Sequence, residues 1–130
     1  MDWRIVSRFL LIPVAMAAPA QGAERTLQVT ATAYNSLPGQ TEGDPSLAAW
    51  GDRLSPGLKA IAVSHDLLAV GLTRGARVRI DGLPDEYVVL DKMASRWRRK
   101  IDIYMGVDRE AAIAWGRRTV RIRWEPSIPE

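Results

Sequence analysis

Hydrophobic and polar positions alternate in six short runs along this chain. Residues 27–34 (LQVTATAY) alternate and are rich in β-branched side chains, as a half-buried strand requires. Residues 60–64 form a short apolar run, and 76–81 carry RVRI with the charges on one face. Residues 86–90, 100–104 and 119–124 (TVRIRW) complete the set. Helical spacing appears only briefly. Residues 66–70 suit a single turn ending at Gly71. A second helix is bounded by Asp108 as its cap and Gly116 beyond its end, with Ala111, Ala112 and Trp115 at helical intervals. The segment 35–57 is long, polar and rich in Gly and Pro, and a loop of that length in a compact domain usually carries function. Short strands with such connections predict a mainly β fold. The expected architecture is a small six-stranded closed barrel with one or two short helices and no exposed sheet edge.

Against this pattern, residues 88–105 (VVLDKMASRWRRKIDIYM) stand out. Asp102 interrupts the run Ile101-Asp102-Ile103-Tyr104, and Asp91 ends the strand before it. A carboxylate in an apolar run gains nothing from a core and is costly unless paired or functional. Two carboxylates brought together are the raw material of acid/base chemistry on a sugar bond.

Composition narrows the setting. The chain has 130 residues, enough for one domain. Residues 1–23 carry Arg4 and Arg8, then an apolar stretch, then small residues around Ala20 and Ala23, the layout of a secretory signal peptide. The apolar stretch is interrupted by Pro13 and is too short for a span of about 20 residues. The expected domain is therefore 24–130, exported to the periplasm or to the extracellular cell wall, with no membrane anchor after cleavage. Removing Asp2, Arg4 and Arg8 from 18 basic and 15 acidic residues leaves 16 and 14, a net charge of +2. That is too mild for a nucleic-acid partner. Cysteine is absent and His65 is the only histidine, which leaves no usual metal site and no thiol chemistry. No cofactor is expected, and a monomer is.

The mature chain resembles the bacterial 3D domain, named for its three aspartates, a double-psi β-barrel module that forms the catalytic part of membrane-bound lytic transglycosylase A. The resemblance runs from Val29-Thr30-Ala31-Thr32-Ala33-Tyr34 through Ile61-Ala62-Val63 to Trp115-Gly116-Arg117-Arg118. Asp91 and Asp102 are eleven positions apart, as the family's second and third aspartates are. At the first aspartate position stands Ser64, with Asp66 two residues later, and Lys92 to Trp97 replace the family's Gly-rich stretch. The resemblance implies action on peptidoglycan glycan strands with Asp102 as the catalytic acid. In that chemistry one carboxyl protonates the leaving oxygen and then accepts the proton of the 6-hydroxyl that closes a 1,6-anhydro ring. Ile101 and Ile103 are expected to desolvate Asp102, and Asp91 to support it.

Further candidates concern substrate contact. Tyr34, Trp50 and Trp97 are candidates for stacking on sugar rings. Trp115 and Trp124 are expected in the core, and Asp44 and Asp52 as turn formers. Ser64 and Asp66 occupy the first-aspartate region. The run Arg96, Arg98, Arg99 and Lys100 is placed to meet anionic wall groups such as lactyl or peptide carboxylates. The alternative is a non-catalytic wall-binding or wall-loosening module, expansin-like, which Ser64 and the small size favour. An ordinary hydrolase with Asp91 as base or nucleophile is a third possibility.

Overall fold

The computed structural model describes residues 23–38 and 43–126. The expected signal peptide, apart from Ala23, and residues 39–42 of the long loop lie outside them.

Strands β1 (Arg25–Tyr34), β2 (Ala60–Val63), β3 (Arg77–Ile80), β4 (Glu86–Lys92), β5 (Lys100–Tyr104) and β6 (Arg118–Trp124) close into one barrel. Their order around it is β1-β5-β2-β4-β3-β6. The pairs β1/β5 and β2/β4 are parallel, and the other four are antiparallel. Among the described residues two short helices accompany the barrel, α1 (His65–Leu68) and α2 (Arg109–Trp115). The molecule is thus mainly β with a closed six-stranded barrel, as the alternation predicts.

Three strands are longer than their own alternation indicates, because a strand's length is set by its partner. β1 begins at Arg25, where it pairs with Trp124, and β6 begins at Arg118, opposite Ala31. β4 continues to Lys92, where β2 still pairs with it.

Alternation decides which side chains fill the barrel. Val29, Ala31, Ile61, Val63, Val78, Ile80, Val89, Ile101, Ile103 and Ile122 point inward and are almost fully buried. β-Branched side chains suit this pleated interior. Asp108 caps α2 by accepting from the Ala111 N–H at 3.0 Å. The helix then presents Trp115, whose Nε1 donates to the Ala31 carbonyl. Trp124 is likewise buried and donates to the Val70 carbonyl. Both tryptophans are core residues, as expected.

A second, smaller apolar cluster lies outside the barrel. Ala48 and Leu54 from the long loop pack on Ala60 and Tyr104, with Tyr34, Leu58, Val88 and Leu90 around them. The loop therefore covers the outer face of β1, β5, β2 and β4. Gly106 lets it close tightly: a Cβ there would meet the Pro56 Cα at 3.2 Å, and φ is +58°.

The segment between β4 and β5 is clasped from below. Ser64 is fully buried, and its Oγ accepts from the Lys100 N–H at 3.0 Å while its own N–H donates to the Lys100 carbonyl. Asp66 accepts from the Arg99 N–H through both oxygens. Arg99 holds a positive φ of 49°, a conformation that needs such support. Ser64→Ala leaves the Lys100 amide buried without this partner. It is expected to cost about 1–3 kcal/mol in a urea melt.

Candidate functional site

Register places the chemistry in one row across four strands. Thr32 pairs with Asp102, Asp102 with Ala62, and Ala62 with Asp91. Paired residues share a face, so both aspartates stand on the outer face that the long loop covers. Asp91 reaches that face through a β-bulge. Strict alternation would turn it inward with Val89, but the register shifts between Ile61 and Ala62 and re-aims it.

Asp102 is half-buried, and Thr32 Oγ1 donates to its Oδ1 at 3.0 Å. Burial pushes its carboxyl above the ordinary aspartate range, against the Thr32 hydrogen bond and the Lys100 charge, while the Asp91 charge adds to the rise. Burial arises on the outer face. Ile101 and Ile103, expected to be its source, point into the barrel. Such a group keeps its proton to higher pH and can act as a general acid.

Asp91 performs a second task. Its Oδ1 accepts from the Ala49 N–H at 2.7 Å and from the Lys92 N–H at 2.9 Å. The first bond ties the long loop to the sheet.

The Tyr34 ring packs against Tyr104, with centroids 5.5 Å apart, at the outer cluster, and its half-buried side chain also lines the groove beside it. Its hydroxyl is shut off from water, close to Asp91. Burial, followed by the charges of Asp91 and Asp102, drives that hydroxyl far above the usual tyrosine range, so it stays protonated.

An open groove of about 620 Å³ runs beside this row, lined by Tyr34, Asn35, Asp44, Leu47, Asp91 and Ile113 among others. Asp102 does not line it. Leu47 and Ile113 expose apolar surface there. A larger groove of about 730 Å³ over β3 and β6, lined by Arg77, Arg79 and Arg123, holds neither aspartate.

The other predicted residues separate. Trp97 lies under two cations, Lys100 at 3.7 Å and Arg96 at 5.0 Å from the ring centroid. Trp50 is half-buried beneath Lys92. Ser64 is buried and committed to the β5 backbone, which corrects its placement among substrate contacts. Asp66 is exposed but engaged: burial, the largest single influence, raises its carboxyl, and hydrogen bonds from Ser64 and the Arg99 amide together outweigh this and lower it. It supports the fold of the 93–99 segment. Asp44 and Asp52 behave as loop formers. Hydrogen bonds from Ser46 hold Asp44 down at about 2, and Asp52 forms a two-point pair with Arg74. Thr32 is the residue that the sequence reading missed. It lies two positions before Tyr34, on the same strand face, and that spacing was visible.

No protein-family model matches this chain, and no curated protein matches its sequence.

Two outcomes follow from this geometry. The folded-state proton affinity of Asp102 exceeds that of the unfolded chain, so its ionisation weakens the fold at neutral pH, and that loss disappears as pH falls through the ordinary aspartate value of about 3.9. Asp102→Asn is therefore expected to melt higher than wild type at neutral pH, with the difference vanishing in acid; calorimetry across pH checks this. Asp91→Ala frees the Ala49 amide. It is expected to cost about 1–3 kcal/mol and to speed proteolysis within residues 43–58.

Proposed function

We propose that the protein cleaves the glycan strands of peptidoglycan as an exported lytic transglycosylase of the three-aspartate, double-psi barrel type. The observation that carries this reading is the Thr32–Asp102–Ala62–Asp91 row, in which burial raises the proton affinity of a half-buried acid near a second carboxylate. Two parallel strand pairs in a six-stranded barrel are consistent with the double-psi arrangement.

Protonated Asp102 gives its proton to the glycosidic oxygen as the bond to the anomeric carbon breaks. The resulting carboxylate, held by Thr32, takes the proton from the 6-hydroxyl as that oxygen bonds to the anomeric carbon. The products are a 1,6-anhydro end and a free 4-hydroxyl, and Asp102 is protonated again. The neighbouring Asp91 carboxylate favours positive charge developing on the sugar. No water is consumed and one carboxyl suffices.

A second reading, a wall-binding or wall-loosening module, is favoured by the engagement of Asp91 with two backbone amides and by the absence of Asp102 from the groove lining. Mass spectrometry of fragments released from purified sacculi separates the two. Anhydro-muropeptides are expected from wild type, with release lowered about 10²–10⁴-fold in Asp102→Asn. Binding without release, or equal release by the variant, contradicts the enzymatic reading.

A further inference from the structure

The four basic side chains before and within β5 are not equivalent. Arg98 turns back on its own loop, donating to the Ser95 and Trp97 carbonyls. Arg99 is committed to the clasp, its N–H to Asp66 and its Nε to the Gln28 carbonyl. Arg96 is exposed. Lys100 alone is buried, at 7% exposure. It belongs to none of the ion pairs among the described residues. Its Nζ lies over the Trp97 ring.

The stem of Lys100 is covered, but its ammonium is not among the sealed polar atoms and faces a ring in place of a carboxylate, which leaves it able to meet a ligand's negative charge. Lys100 precedes Asp102 by two residues in β5, so both project from the outer face, about 6.5–7 Å apart along the strand. The Lys100 charge is felt at Asp102, yet the two form no ion pair.

We propose that Lys100, backed by the Trp97 ring, is a carboxylate-binding subsite that selects saccharide units bearing an acidic substituent beside the bond at Asp102. This rests on the reading of Asp102 as acting on wall glycan. The ring fixes the ammonium in place, and the ligand's carboxylate supplies the missing countercharge. The carboxylate belongs either to a lactyl ether on the sugar or to an attached peptide.

The test measures binding of the purified protein to glycan strands whose carboxyls are free or amidated, using peptide-free and peptide-bearing preparations of each. Wild type is expected to prefer free carboxyls about tenfold, the scale of one hydrogen bond between charged groups. Lys100→Met is expected to lower affinity for free-carboxyl strands to that for amidated ones, and Lys100→Arg to keep part of the preference. Lys100→Gln serves as a second neutral variant, with melting curves confirming that each variant is folded. A preference seen with peptide-free strands assigns the lactyl group; one confined to peptide-bearing strands assigns the peptide. An undiminished preference in the neutral variants, or none in wild type, overturns the subsite. Binding to no strand at all overturns the wall-glycan reading with it.

Discussion

The structure turns on β2, four fully buried residues held between a parallel neighbour and an antiparallel one. Ala62 pairs with Asp102 on one side and Asp91 on the other. Its small side chain leaves the outer face open between the two carboxylates. The bulge at Ile61 and Ala62 is what permits this, since without it Asp91 would face the apolar interior. A carboxylate there would have to neutralise or unfold the strand. One inserted residue thus separates a viable acid pair from a defect in the core.

The long loop completes the environment. Its Ala48 and Leu54 dry the outer face around Tyr34 and Tyr104, and its Ala49 amide is held by Asp91. The same carboxylate whose charge is felt at Asp102 therefore anchors the loop over the neighbouring cluster. A carboxyl whose charged form is disfavoured by burial, at the expense of stability, is a common feature of functional sites.

Much of this was legible in the sequence. The strands were, because RVRI, KIDIY and TVRIRW alternate cleanly, and Asp102 was, because a carboxylate breaks such a run. Both core tryptophans followed from spacing alone. What the sequence did not reveal depends on pairings between residues far apart. Thr32 meets Asp102 across 70 positions, and Ala49 meets Asp91 across 42. No local pattern signals that Ser64 would serve the Lys100 amide instead of a ligand, or that the Tyr34 hydroxyl would be buried. The basic run read as four similar charges, and only the fold separates buried Lys100 from its engaged neighbours. The bulge was hidden too, since the extra residue, Leu90 of β4, shows only in the pairing of β4 with β2.

The central claim is that the outer-face environment raises the proton affinity of Asp102 above that of an ordinary aspartate. Carbon-detected NMR titration of the Asp102 carboxyl, in wild type and in Asp91→Asn, tests it directly. The expected result is a midpoint above the ordinary aspartate value of about 3.9, which falls when the Asp91 charge is removed. A midpoint at or below the ordinary value would contradict it and leave Asp102 an ionised, structural carboxylate.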